Sequence, residues 1–125
     1  MSVDKNNRAI ERSSKWGQEI DKWDQYYGSL QVGDETEETR SFGKELLDKI
    51  RGILPDGGNI LEAGCGGGWQ SLAIARDGKY KISLLDFSSE ALNYAKKVFE
   101  QAQLEAETIL ENFLNATICS FDIAC

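Results

Sequence analysis

Hydrophobic positions recur along this chain with two different spacings, one typical of helices and one of buried strands. From Ser41 onward, apolar residues fall at steps of three and four positions, which predicts an amphipathic helix with Ser41 as its N-cap. These apolar residues are Phe42, Leu46, Ile50, Ile53 and Leu54. The Pro-Asp-Gly-Gly sequence at 55–58 then ends the helix.

Two short apolar runs follow, and each of them has an acidic residue at or next to its end. Asn59 to Ala63 predicts a buried strand that contains Glu62 and leads into a glycine-rich turn, and Tyr80 to Asp86 predicts a second strand. A helix from about Trp69 to Asp77 is expected between the two strands. The sequence therefore predicts a strand, a turn, a helix and a further strand in succession.

A third helix is predicted after the second strand. Ser88 or Ser89 serves as its N-cap, and one face carries Leu92, Ala95, Phe99 and Ala102. The remaining strand candidates are Thr108 to Leu110 and Phe121 to Ala124. Strands that alternate with helices in this way predict βαβ units and a parallel sheet.

The first part of the chain differs in composition from the rest. Residues 1–40 are polar, close with an acidic stretch, and carry interleaved aromatic residues, namely Trp16, Trp23, Tyr26 and Tyr27. We interpret 1–40 as a helical and loop-like lead-in and 41–125 as the α/β domain. The lead-in aromatics are expected to cover the sheet.

Charge and composition disfavour some classes of partner. The net charge is −7, and no Lys or Arg follows Lys97, so the chain lacks the basic stripe that nucleic-acid binding needs. There is no histidine, and the three cysteines, Cys65, Cys119 and Cys125, show no paired metal-ligand spacing, so no metal site is predicted. The odd cysteine count and the lack of an apolar leader or membrane-length run favour a cytoplasmic location.

The densest chemistry lies in the glycine-rich turn and in the two acids near it. Glu62 precedes the turn, and Asp86 stands 24 positions later at the end of the second strand. In a parallel sheet both carboxylates emerge at the same edge as the turn, whose glycines allow a ligand to approach the main chain. Asp86 is suited to the hydroxyls of a ribose, and Glu62 to a cationic amino-acid moiety. The alternatives are a structural glycine turn and two solvated strand ends.

These residues resemble the first two motifs of the class I S-adenosylmethionine-dependent methyltransferases. The first motif is matched by Glu62, Gly64, Gly66 and Gly68, and the second by the run from Leu84 to Leu92 together with Ala95. The resemblance implies a Rossmann-like, doubly wound parallel α/β sheet that binds S-adenosylmethionine. It also implies that Asp86, with Phe87 beside it, holds the ribose.

The resemblance extends to weaker matches on either side. It places Asn112 beside the exocyclic amine of adenine, with the backbone N–H of Phe113 nearby, although an ordinary turn asparagine is the alternative. The segment Trp23 to Tyr27 is similar to a lead-in that covers the cofactor in members acting on small molecules. Arg40 is the last residue of the lead-in, and we expect a surface role for it rather than a contact with the cofactor carboxylate.

The family's sheet has seven strands, whereas about four are predicted here, so the chain resembles a truncated, cofactor-binding half. Methyl transfer is an in-line displacement that depends on positioning, and no catalytic residue is assigned. A small-molecule acceptor is expected. The alternatives are a non-catalytic S-adenosylmethionine-binding or interaction fragment and, less favoured because Trp69 replaces the third glycine of a dinucleotide turn, an NAD-binding oxidoreductase domain.

Right-handed crossovers place the three predicted helices on one face of the sheet. We therefore expect apolar strand residues to leave the other face uncovered, and this bare face and the open edge of the fourth strand to favour self-association or a second chain. The residues considered are Ile60, Leu61, Ile82, Leu84, Ile109 and Leu110.

Overall fold

The structure, a computed structural model, describes residues 15–33, 35–111 and 121–124. The described residues form four helices and four strands that alternate over most of the chain. In chain order they are α1 (Lys15–Ser29), α2 (Glu37–Ile53), β1 (Gly58–Ala63), α3 (Trp69–Arg76), β2 (Tyr80–Asp86), α4 (Ser89–Gln101), β3 (Glu107–Leu110) and β4 (Ile123–Ala124).

The four strands form one parallel sheet in the order β3-β2-β1-β4. In register, Ile60 pairs with Ile82 on one side and with Ile123 on the other. The chain thus adds strands outward from β1 in one direction and then returns to place β4 on the opposite side. This topological switch beside β1 is the place where doubly wound sheets bind ligands, at the carboxyl ends of the strands. The predicted partial Rossmann-like α/β fold is confirmed.

The boundaries of most predicted elements agree with the structure. The helix after the glycine turn ends one residue before the predicted end, and β2 has the predicted bounds. Of the two serines considered as caps for α4, Ser88 performs the role, because its side chain accepts the N–H of Ala91 at 3.1 Å. Local signals of period and capping were therefore sufficient for these elements.

The start of α2 differs from the prediction. Thr36, not Ser41, is the N-cap, and its hydroxyl accepts the N–H of Thr39 at 3.1 Å. Glu37 and Glu38 then occupy the first turn, where negative charge is favourable at the positive end of the helix dipole. The acidic stretch interpreted as the end of the lead-in thus contributes the first turn of α2.

The core lies on one face of the sheet. The strand residues in it alternate along β1 and β2, as one face of a pleated sheet requires, and they are Ile60, Tyr80, Ile82 and Leu84. Residues of three helices pack on them, among them Leu47 and Ile50 of α2, Leu72 of α3 and Phe99 of α4. The prediction that these helices share one face is confirmed.

The opposite face is not bare at its centre. Leu61, Ser83 and Leu85 alternate with the core residues and so point away from the helices, yet their exposed fractions are 0%, 2% and 2%. The expectation of uncovered apolar residues on β1 and β2 is therefore wrong. Of the residues considered, Leu110 on the edge strand β3 is substantially exposed, at 43%.

At the amino end of the sheet, Asp122 joins β4 to β1. Its carboxylate Oδ2 accepts the N–H of Asn59 at 2.7 Å, and its own N–H donates to the carbonyl of Asn59 at 2.9 Å. This agrees with a structural role for Asp122. Within the part of the chain that the structure describes, no helix is long and apolar enough to cross a membrane.

Candidate functional site

The turn between β1 and α3 consists of residues 64–68 and is rich in left-handed backbone. Gly64, Gly66 and Gly68 have φ values of 64°, 52° and 72°, a region that other residues rarely adopt. Two backbone hydrogen bonds hold the turn in place. The N–H of Cys65 donates to the carbonyl oxygen of Leu85 at 3.1 Å, and the N–H of Gly68 donates to the carbonyl oxygen of Cys65 at 2.9 Å. Some of the N–H groups expected to be free for a ligand therefore hold the turn in place.

The three left-handed glycines have different surroundings. A Cβ at Gly68 would lie 3.2 Å from the Cβ of Ala95 and 3.5 Å from Leu84, so this glycine lets the turn pack against α4 and β2. A Cβ at Gly66 would meet the hydroxyl of Tyr27. A Cβ at Gly64 would meet nothing within 4 Å. The open side of the turn is therefore at Gly64, where a ligand can approach the main chain.

Asp86 ends β2 and holds two loops together. Its Oδ2 accepts the N–H of Gly66 at 3.0 Å, and its Oδ1 accepts the N–H of Ser88 at 3.0 Å. The residue is 6% exposed. A buried carboxylate with two N–H donors is a stable arrangement, since hydrogen bonds to a charged acceptor are about twice as strong as neutral ones. Asp86 thus fixes the position of the glycine turn relative to the start of α4.

Glu62 lies near the end of β1, and its side chain points toward the start of α3. Its carboxylate accepts a hydrogen bond from the hydroxyl of Ser71, and the residue is 8% exposed. Burial raises the pKa of Glu62, the Ser71 hydrogen bonds partly oppose this, and the nearby Asp86 charge raises the pKa further. The two acids therefore lie at the same edge of the sheet, as the parallel arrangement predicted.

A cavity of about 390 Å³ opens beside the turn. Glu62, the turn residues 64–68 and Trp69 line it, together with Tyr27, Thr39 and Gln70. Thr39 is on α2 and Tyr27 on α1, so residues from the polar lead-in and from the first turns of α2 complete a site whose centre is the turn. Thr39 and Gln70 were not predicted as site residues, because no local pattern in the sequence marks either one.

Of the lead-in aromatics, Trp23, Tyr26 and Tyr27 do not cover the sheet as expected, and the side chain of Trp16 lies outside the described part of the chain. Tyr27 lines the cavity, and its ring centre lies 5.6 Å from that of Tyr94 on α4. Trp23 and Tyr26 pack on Tyr27, with ring centres 6.1 and 5.0 Å away, but remain 36% and 52% exposed. Burial and then the charge of Asp86 raise the pKa of the Tyr27 phenol.

Cys65 is in the middle of the turn and lines the same cavity. It is a free cysteine, 7% exposed, and its Sγ lies 3.6 Å from the carbonyl oxygen of Gly66. Burial, together with the charges of Asp86 and Glu62, raises the pKa of its thiol well above the ordinary value. Cys65 is therefore a neutral thiol at physiological pH.

The other predicted site residues are placed as follows. Phe87 follows Asp86 directly and is half-buried, but it is not among the residues that line the cavity. Asn112 and Phe113 lie outside the described residues. Arg40 is 65% exposed in its side chain, with Nε 3.8 Å from Glu35, so the expected surface role is confirmed. In residues 15–33, 35–111 and 121–124, no group of three or more metal-ligating side chains could hold a metal ion.

The fold and the turn together define a parallel α/β domain of the nucleotide-binding type. The chain belongs to the methyltransferase-domain family, whose model matches residues 60–125, from the first residues of β1 to the end of the sequence. The resemblance to S-adenosylmethionine-dependent methyltransferases is thereby confirmed. No curated protein matches this chain.

Solved structures with the same fold include several methyltransferases. A protein from Pyrococcus horikoshii OT3, PH0226, is 20% identical with a TM-score of 0.64, over 80% of this chain and 49% of that one. An S-adenosylmethionine-dependent methyltransferase from Clostridium acetobutylicum is 20% identical with a TM-score of 0.58, over 83% and 42% of the two chains. The bifunctional kinase-methyltransferase WbdD is 24% identical with a TM-score of 0.56, over 73% and 21%. This chain thus spans between about a fifth and a half of the length of these proteins, and the likeness establishes the fold.

Proposed function

We propose that this chain binds S-adenosylmethionine in the cavity beside the glycine turn, as the cofactor-binding part of a methyltransferase that acts on a small molecule. The observation that carries the proposal is the junction between Asp86 and Gly66, next to the open main chain at Gly64. Membership of the methyltransferase-domain family supports the cofactor assignment.

The polar groups of the site fit an adenosyl ligand. Each carboxylate oxygen of Asp86 accepts one N–H from the protein, and an ionised carboxylate has about four acceptor positions, so capacity remains for the two hydroxyls of a ribose. Glu62 faces the same cavity and is assigned to the amino-acid moiety. Asn112 and Phe113 are assigned to the adenine from the resemblance alone.

The size and the charge of the cavity suit the same ligand. Its volume of about 390 Å³ is within the range of roughly 300–1,000 Å³ that is common for small-molecule sites. The open space beside Gly64 admits a ligand next to the main chain, and Glu62 lines the same cavity, where we assign it to the cationic amino-acid moiety. When bound, S-adenosylmethionine supplies an electrophilic methyl group on a sulfonium. This chain's residues bind and orient it, which is the main requirement of an in-line displacement.

Binding is tested by calorimetric titration of the full chain with S-adenosylmethionine and S-adenosylhomocysteine. Asp86→Ala removes the proposed ribose acceptor and is expected to weaken binding about 10- to 100-fold, because a hydrogen bond to a charged group contributes roughly 1.5–3 kcal/mol. Asp122→Ala is the matched control, since Asp122 also accepts a backbone N–H at an end of the sheet but lies far from the turn. We expect wild-type affinity for Asp122→Ala.

Failure of the wild-type chain to bind either compound, or equal affinities for wild type and Asp86→Ala, would overturn the proposal. Transfer is measured separately with a tritiated methyl donor and a panel of small acceptors. Binding without transfer would favour the non-catalytic S-adenosylmethionine-binding alternative. Stabilisation by NAD but not by S-adenosylhomocysteine in a thermal melt would favour the oxidoreductase alternative.

A further inference from the structure

Helix α1 is attached to the start of α4 through one carboxylate. Oδ1 of Asp24 accepts the hydroxyl of Ser88 at 2.7 Å and lies 3.4 Å from the N–H of Glu90. The same hydroxyl oxygen of Ser88 accepts the N–H of Ala91 as the N-cap of α4. Asp24 therefore extends the cap of α4 and adds negative charge at the positive end of that helix.

The contact at Ser88 continues into the proposed cofactor site. The N–H of Ser88 donates to Asp86, and the other oxygen of Asp86 accepts the N–H of Gly66. Tyr27 follows Asp24 by three residues on α1, so the two side chains share one helix face. The Tyr27 hydroxyl lies over Gly66. Hydrogen bonds therefore link α1 to the turn through Ser88 and Asp86, and Tyr27 contacts the same turn directly from α1.

We infer that Asp24 is a positioning residue that couples the docking of α1 to cofactor binding. When Asp24 is bonded to Ser88, α1 is held with Tyr27 over the turn, and the cavity has its lead-in wall. A ligand that binds better to this closed arrangement stabilises the docked helix in return, because coupling between two equilibria is reciprocal. The inference rests on the proposed function for the identity of the ligand.

Asp24 is well placed for this role because the second half of α1, which carries it, has little buried surface, whereas Gly17 and Ile20 in the first half are buried. Most of the α1 residues from Asp21 to Ser29 are exposed. The ring contact between Tyr27 and Tyr94, at 5.6 Å between centres, does not fix the orientation of the helix as directed hydrogen bonds do. A segment with few buried side chains opens at low free energy, so the loss of one well-formed polar contact shifts the docking of this half of α1.

The test uses the full chain and three variants, each followed by hydrogen exchange of residues 15–29 and by titration with S-adenosylhomocysteine. Asp24→Ala removes both contacts. Asp24→Asn keeps a side-chain oxygen that can accept from Ser88 and Glu90. Gln25→Ala is the control, because Gln25 is the exposed neighbour of Asp24 on the same helix.

Asp24→Ala is expected to exchange faster in α1 without ligand, to lose ligand-induced protection there, and to bind about tenfold more weakly, within the roughly 5- to 150-fold range of coupling between sites. Asp24→Asn and Gln25→Ala should remain within about twofold of wild type, which is less than 0.5 kcal/mol.

Two results would overturn the coupling. One is unchanged α1 exchange in Asp24→Ala, and the other is faster exchange with unchanged affinity. Absence of binding by the wild type would instead refute the proposed function, and the exchange measured without ligand would still decide whether Asp24 holds α1.

Discussion

The two ends of the parallel sheet both carry a cavity, a glycine in left-handed backbone and a carboxylate that accepts a main-chain N–H, but they use them differently. At the amino end, a Cβ on Gly57 would collide with the carbonyl oxygen of Lys79, so the protein itself fills the space that the glycine leaves. At the carboxyl end, the space beside Gly64 is empty of protein atoms within 4 Å. A glycine therefore indicates a ligand site only where its neighbouring space is open.

The cavities at the two ends of the sheet differ in volume and in the residues that line them. The groove at the amino ends of β2 and β3 is the larger, at about 590 Å³, and is lined by Lys81, Glu107 and residues of α4, whereas Glu62 is not among its lining residues. The cavity at the carboxyl end is about 390 Å³ and is built around the turn and Glu62. Volume alone would favour the amino end, whereas our proposal for the carboxyl end rests on the chemistry of the lining residues.

The largest expected effect distinguishes the two glycines. Gly57→Ala should destabilise the fold by about 2–5 kcal/mol, because it combines a strained φ of 98° with overpacking against Lys79. Gly64→Ala should cost only about 1–2 kcal/mol for its left-handed backbone. Urea unfolding measures both.

The loss of affinity for S-adenosylhomocysteine should be larger for Gly64→Ala than for Gly57→Ala, which reverses the order expected for stability. The Cβ of Gly64→Ala enters the space proposed for the ligand, and we expect roughly tenfold weaker binding of S-adenosylhomocysteine, equivalent to about 1.4 kcal/mol. The folded fraction of Gly57→Ala should bind as wild type does. Equal losses of stability and affinity in the two variants would contradict the distinction between the two ends.

A smaller effect concerns the pH dependence of stability at the carboxyl end. The pKa of Glu62 is raised above its ordinary value of 4.5, so the folded state keeps a proton that the unfolded chain loses. The free energy of unfolding should therefore fall as pH rises from 4.5 through the raised pKa. Glu62→Gln should lack this component and gain stability relative to wild type across that window. Parallel pH profiles of urea unfolding for the two proteins would contradict the assignment.

The smallest effect is expected at Arg40, which is close in sequence to Thr39 in the cavity wall but contacts Glu35 at the surface. Arg40→Ala should change stability by no more than about 1 kcal/mol, as is usual for exposed ion pairs. The affinity for S-adenosylhomocysteine should stay within roughly twofold of wild type. A large loss of affinity would place Arg40 in the site and correct the surface assignment.

The sequence was sufficient for features set by local chemistry. The run from β1 through the turn to α3 was predicted almost to the residue, because an apolar strand, bare glycines and a helical period are each local signals. The common edge of Glu62 and Asp86 followed from the parallel arrangement of two adjacent strands. The N-cap of α2 was missed because Thr36 and Ser41 carry equivalent hydroxyls, and the acidic residues between them were assigned to the helical and loop-like lead-in.

Features that depend on docking between distant segments could not be predicted. The contact of Asp24 with Ser88 joins residues 64 positions apart, and it determines where Tyr27 lies. The burial of Leu61 and Leu85 was missed for a similar reason, since helix handedness says which face the helices cover but not whether the other face stays open. The hydrogen bond from Ser71 to Glu62 was not predicted either, although Ser71 lies at the start of the helix that follows the turn.

The buried thiol of Cys65 can serve as a chemical probe for the opening of the glycine turn. A protonated, enclosed sulfur reacts slowly with alkylating reagents, because the thiolate is the reactive form and the reagent must reach it. Labelling at this position, read by peptide mass spectrometry, therefore increases with the fraction of molecules in which the loop around it is open. The kinetics of modification would report local opening of the loop directly, without any added fluorophore.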